Sequence, residues 1–203
     1  DVGMGIYRSF AKGKWVRPLI LELGGKNPAI VTRNADIETA AIGITRSAFG
    51  LQGQKCSACS RVYADEAIYD QLVARVVELT NKLTIGDPTD RAISTGPVIN
   101  RSSYRDFQAF CADLKQHGQI LAGGSVLAGG DYAKGYFCAP TLVSELPYEH
   151  PLWKREMFVP ITTLGRYKTL EEAMQMANDV DYGLTAGVYG SQDDVDYFFD
   201  KVE

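Results

Sequence analysis

The chain has 203 residues, 45% of them hydrophobic and 23% charged, with a formal net charge of −4. That balance suits a folded globular chain with one sizeable core and excludes disordered and fibrous classes. The acidic excess, with no stripe of lysine and arginine, argues against nucleic acid as a partner, and no apolar run approaches the roughly 20 residues of a membrane span.

In chain order, residues 6–14 read as a helix closing at Gly13, followed by an apolar strand, PLILEL, that ends at Gly24 and Gly25. A short strand, PAIV, follows at once. Asp36 then caps a helix whose residues Ile37, Ala40, Ala41, Ile44 and Ala48 recur at helical spacing, and Gly50 stops it. After a loop with two cysteines comes the strand SRVYA, then an amphipathic helix over 66–83 that ends before the turn GDP. Tyr104, Phe107, Cys111 and Leu114 mark a further helix ended by Gly118. The strand QILA, a glycine-rich stretch over 123–135 and the strand-like YFCAPTLV come next. PITTLGRY reads as a buried strand. Thr169 and Glu172 form a capping box for the helix after it, TAGVYG is the next strand, and Ser191 caps the last helix. Strands alternating with amphipathic helices predict an α/β fold, a largely parallel sheet flanked by helices. The chain opens at Asp1 and stops at Glu203 inside a predicted helix, so a segment of something longer is expected.

The four cysteines, at 56, 59, 111 and 138, show no disulfide-framework spacing; reduced thiols and a cytoplasmic setting are expected. Cys56-x-x-Cys59 permits several chemistries. Structural zinc needs four ligands, and the only histidines, His117 and His150, stand in unrelated segments, so no metal site is expected. A redox pair belongs at a helix N-terminus, whereas here a helix precedes the motif and a strand follows. Cys59, Cys111 and Cys138 read as small buried thiols. Cys56, in a glycine-flanked loop, stands where backbone N–H groups can face a developing negative charge, and so reads as a candidate nucleophile. No histidine is placed to serve it. Glu22 closes an apolar strand just before two glycines, either as a solvated strand end or as a carboxylate facing a cleft.

LELGGKNPAIV at 21–31, GQKCSACSR at 53–61 and EMFVP at 156–160, in this order, resemble the three signatures of the aldehyde dehydrogenase superfamily, and YFCAPTLV and ANDVDYGLTAGVYG resemble further family segments. FGLQGQKCSACSRVY is most similar to the 1-pyrroline-5-carboxylate dehydrogenase subfamily, which oxidises glutamate semialdehyde to glutamate. The resemblance implies that Cys56 attacks the aldehyde, that Glu22 activates the water that cleaves the thioester, and that Glu156 holds the nicotinamide ribose. It also implies that Phe158 packs beside the cofactor, that the carbonyl of Leu23 meets its carboxamide, and that Ser57 contacts the substrate carboxylate. The cofactor implied is NAD, with NADP not excluded; the partners are a small aldehyde and, in the whole protein, further copies of itself. Residues 1–17 would end a mostly missing nucleotide-binding domain and 18–203 would form the catalytic domain, inactive alone. Two departures stand out. Val159 replaces the usual glycine, so a positive φ there is forbidden, and Cys59 offers Cys56 an inhibitory disulfide. An aldehyde dehydrogenase of another substrate class is the alternative, followed by a thiol-disulfide exchange protein or a non-catalytic member of the fold.

Overall fold

The computed structural model describes residues 2–203. Helices run over Val2–Ala11 (α1), Ile37–Phe49 (α2), Tyr69–Asn81 (α3), Arg101–His117 (α4), Leu170–Asn178 (α5) and Gln192–Lys201 (α6). Strands run over Asn27–Val31 (β1), Cys59–Asp65 (β2), Gln119–Ala122 (β3), Val126–Leu127 (β4), Phe137–Cys138 (β5), Thr141–Ser144 (β6), Ile161–Tyr167 (β7) and Gly187–Tyr189 (β8). The starts of α2, α4 and α6 follow from their caps. The Asp36 side chain accepts from the Thr39 N–H at 2.7 Å, Asn100 from the Ser103 N–H at 2.9 Å, and Ser191 and Asp194 complete a reciprocal capping box. Among the described residues no helix is long and apolar enough to cross a membrane.

Six strands form one sheet in the order β3-β6-β7-β2-β1-β8; every neighbouring pair is parallel except β3 with β6. Side chains alternate across the pleat, so the sheet carries two cores. Ile30, Tyr63, Val143 and Tyr167 face a cluster with Phe107 of α4, Ala173 of α5, Phe198 of α6 and Trp153. Val31, Val62, Leu142 and Leu164 face the other, with Ile44 of α2 and Leu72 of α3. Burial on both faces explains why the central strands read as continuous apolar runs. Parallel pairing of Asn27 with Cys59 and of Arg61 with Thr163 sets the starts of β1, β2 and β7 side by side. The loops that enter these three strands therefore meet at one edge of the sheet.

Several sequence expectations are corrected. PLILEL is not a strand: residues 16–26 carry no regular structure, and Val16 and Ile20 are fully or nearly fully exposed. The described sheet offers this run no neighbour, and an apolar run without a partner strand leaves its N–H and C=O groups unpaired. YFCAPTLV divides at Pro140, which has no N–H to give a ladder: β5 pairs with β4 in a small hairpin and β6 joins the main sheet. Thr169 caps α5 through the Glu172 N–H at 3.2 Å, but the Glu172 carboxylate accepts from the Lys168 N–H at 2.8 Å, one residue before the expected partner. His117 and His150, read as unrelated, lie together with ring centroids 5.0 Å apart.

Candidate active site

Cys56 lies between α2 and β2, in the loop that enters the sheet. After α2 the chain turns through Leu51, Gln52 and Gly53 with φ of 53°, 57° and 66°. At Gly53 both conformation and space call for glycine, since a Cβ there would stand 2.6 Å from the carbonyl oxygen of Val159. The loop is then fastened by buried Asn27, whose Nδ2 donates to the carbonyl oxygens of Cys56 at 2.7 Å and Ala58 at 2.8 Å. Its Oδ1 accepts from the Thr185 N–H at 3.2 Å, which ties the loop to the approach to β8. The end of α2 nearest this loop is its carbonyl end, so any anion held at Cys56 depends on loop N–H groups rather than on a helix dipole. The Cys56 N–H donates to nothing among the described residues. The redox-pair alternative needs a helix starting at Cys56; a strand starts at Cys59 instead.

Gly25 joins the thiol loop to Glu156. Its N–H donates to Glu156 Oε1 at 2.9 Å, a contact across 131 residues, and a Cβ on it would overlap the Cys56 carbonyl oxygen. A Cβ on Gly24 would overlap Glu156 Oε2. The two glycines thus form a bare stretch of backbone against which the Cys56 peptide and the Glu156 carboxylate are both pressed. Glu22, three residues before Gly25, lies at most about 11 Å from it along the chain. It is exposed and makes no hydrogen bond or ion pair among the described residues. Leu23 is 52% exposed and rests its side chain against Gly3 of α1. Ser57 is exposed beside a cavity of about 270 Å³ that Ser47, Thr185 and Tyr189 also line. Phe158 is 43% exposed with a φ of 54°. The left-handed residue of this turn is therefore Phe158, and Val159 is buried without a positive φ.

Two buried cations escape a reading of the sequence. Arg61 donates to the carbonyl oxygens of Lys26, Met176 and Ala177 and to the Tyr63 hydroxyl, so its fork is satisfied by backbone at the carbonyl end of α5. Lys26 is 1% exposed and its Nζ has no hydrogen-bond partner among the described residues. Burial, and then the Arg61 charge, push its pKa down to about 7 against the opposing pull of Glu156. The signal that could have found both is a charged residue inside an apolar strand context: a lysine directly after two glycines, and an arginine within SRVYA.

The four thiols separate cleanly. Cys56 is half-buried, while Cys59, Cys111 and Cys138 are buried. Burial raises Cys59 to about 12, Cys111 to about 11 and Cys138 to about 12, and the Cys59 Sγ donates to the Arg61 carbonyl oxygen at 3.5 Å. A thiol so held offers little thiolate for an inhibitory disulfide with Cys56.

A model of the aldehyde dehydrogenase family matches residues 1–203. The 1-pyrroline-5-carboxylate dehydrogenase of Anoxybacillus flavithermus is 42% identical over 192 residues, covering 93% of this chain and 36% of that protein. Among solved structures, 1-pyrroline-5-carboxylate dehydrogenase from Thermus with bound NAD superposes with a TM-score of 0.91 at 34% identity, over 100% of this chain and 39% of the other. Betaine aldehyde dehydrogenase from Staphylococcus aureus in complex with NAD+ gives a TM-score of 0.92 at 28% identity, over 99% and 40%. The chain therefore spans little more than a third of the length of the relatives it matches.

Proposed function

The chain belongs to the aldehyde dehydrogenase family, and from that premise we propose that Cys56 is the nucleophile in an NAD-dependent oxidation of glutamate semialdehyde to glutamate. The observation that carries the reading is Gly25, which meets the Cys56 carbonyl oxygen and the Glu156 carboxylate at once. Residues 18–203 are the thiol-bearing catalytic domain and residues 1–17 the end of a nucleotide-binding domain. The share of the relatives that the chain covers supports this division, as do the exposed apolar side chains of Val2, Ile6, Tyr7 and Val16.

The site fits a nicotinamide dinucleotide in the chemistry of its donor set. Glu156 Oε1 is committed to the Gly25 N–H, and Oε2 accepts nothing among the described residues, which leaves a carboxylate oxygen for a ribose hydroxyl. Bare backbone at Gly24 leaves room for that approach, with Phe158 exposed beside it and the Leu23 carbonyl as the acceptor for the carboxamide. When bound, NAD supplies the acceptor for the two electrons and the hydrogen that leave the adduct carbon. The Cys56 thiolate forms a bond to the carbonyl carbon, and the electron pair moved to oxygen is met by the Cys56 N–H. Asn27 fixes that loop by its two bonds to carbonyl oxygens. The thioester left on Cys56 is cleaved by water, from which Glu22 takes a proton, and the sulfur leaves as thiolate. Ser57, beside its hydroxyl-lined cavity, contacts the substrate carboxylate.

The test is NAD reduction by the longer protein that carries these residues, with glutamate semialdehyde against betaine aldehyde. Cys56→Ala is expected to abolish turnover, and Glu22→Gln to slow thioester cleavage about 10²–10⁴-fold while leaving the first burst of NADH intact. Preference for betaine aldehyde overturns the substrate, and turnover that survives Cys56→Ala overturns the mechanism. The 203-residue chain alone is expected to turn over no aldehyde; a rate on the order of 10 per second overturns that part.

A further inference from the structure

We infer that Asp113, His117 and His150 form a binding site for a divalent transition-metal ion of the zinc class, independent of the thiol site. Asp113 and His117 stand one turn apart at the end of α4, and His150 comes from the turn before Trp153. Their ligand atoms, one from each residue, all lie within 4.8 Å of one another. His117 Nδ1 is 3.0 Å from Asp113 Oδ1, and His150 Nε2 is 3.5 Å from Asp113 Oδ2. Tetrahedral coordination at roughly 2.0–2.1 Å sets ligand atoms about 3.3 Å apart; each ring already stands near that spacing from one Asp113 oxygen, His117 from Oδ1 and His150 from Oδ2, so a small turn of the carboxylate brings one oxygen to both.

The donor set, two imidazoles and a carboxylate, is that of three-ligand zinc centres, with a fourth position left to water. Side-chain exposures of 43% for Asp113 and 48% for His117 open that position to solvent, whereas His150 is 9% exposed and held by its surroundings. The site lies at the carbonyl end of α4, where the helix dipole favours a cation.

Coordination has a definite cost. His117 gives up the contact of Nδ1 with the Asp113 carbonyl oxygen at 3.0 Å, and its ring proton moves to Nε2. His150 Nδ1 accepts from the Leu152 N–H at 3.3 Å; ligation through Nε2 puts the ring proton on Nδ1 and exchanges this long hydrogen bond for a metal bond. The ion would staple α4 to the segment that runs through Trp153 to Glu156.

The experiment titrates Co²⁺, then Zn²⁺ as competitor, into the 203-residue chain. One ion per chain is expected, with cobalt d–d absorption, no thiolate-to-cobalt charge-transfer band, and loss of the cobalt signal to Zn²⁺. The surface variants His117→Ala and Asp113→Asn, checked for native circular dichroism, are each expected to weaken binding roughly tenfold or more. Absence of saturable binding, a signal that is only thiolate-to-cobalt, or affinity unchanged in His117→Ala would each overturn the site.

Discussion

Asn27 spends its whole amide on the thiol loop: two donors to the Cys56 and Ala58 carbonyl oxygens and one acceptor for the Thr185 N–H. Asn27→Ala would leave three backbone groups without partners in a site where Asn27 is 4% exposed. A loss of about 2–4 kcal/mol in urea unfolding is expected, with a changed rate of Cys56 alkylation. Asn27→Asp keeps the shape but turns carboxylate oxygens toward two carbonyl oxygens, so it should be no milder. Lys26 makes a separate prediction. Its pKa is about 7 in the folded chain and roughly 10.4 when unfolded. Between these values the unfolded chain holds a proton that the native chain has lost, so this group makes stability rise with pH from about 7 to about 10. Below that window it is a standing penalty. Lys26→Met should flatten that rise and stabilise the chain at neutral pH by about 1–4 kcal/mol, read from urea midpoints across pH. The candidacy of Cys56 was legible from its loop and, with that of Glu156, from the motifs around it. Asn27 and Lys26 were not, because a polar pair after two glycines looks like solvated turn until the partner loops, 29 and more residues away, are known to close over it.

Helices were the readable part of the architecture, since they carry their own evidence: a periodic face along the length and, at α2, α4, α5 and α6, a side-chain cap at the start. Strands borrow half of their stability from neighbours. PAIV and SRVYA became β1 and β2 because each found parallel partners on both sides, while the equally apolar PLILEL found none and lies exposed. The turn between α2 and the thiol was legible only as a glycine-rich loop; that three consecutive residues adopt left-handed backbone follows from how tightly Gly53 sits under Val159. Gly53→Ala combines a positive φ with a Cβ 2.6 Å from a carbonyl oxygen, so a loss of more than about 1 kcal/mol is expected in the urea midpoint. Because β7 enters the sheet through the same contact, altered exposure of Phe158 should accompany it, seen as faster proteolysis at that turn.

At the scale of the whole molecule, the proposed site inverts a common pattern. Open α/β sheets generally place ligands beyond the carboxyl ends of their strands, yet here Gly25, Cys56 and Glu156 all lie on segments that lead into β1, β2 and β7. Neighbouring parallel strands share a starting edge as surely as a finishing one, and close-packed glycine backbone substitutes for the crevice that strand order would otherwise open. On the surface, Val2, Trp15, Val16, Ile20 and Leu23 are more than half exposed. So many exposed apolar side chains within the first 23 residues are a surface that another chain can cover. The 203-residue chain should therefore associate with itself as concentration rises, and Val16→Ser with Ile20→Ser should shift sedimentation toward the monomer without changing circular dichroism; an unchanged sedimentation profile would count against this.

The bond from Gly25 to Glu156 joins residues 131 positions apart, and this sets an order of events during synthesis. A ribosome has delivered the sulfur long before it delivers the carboxylate, and the strand that carries the latter to the sheet edge comes later still. Until β7 has threaded in beside β2, the Gly25 N–H has no Glu156 carboxylate to meet, and the Cys56 peptide lies against bare glycine backbone alone. The segments that bear residues 25, 56 and 156 meet only with the closing of the sheet.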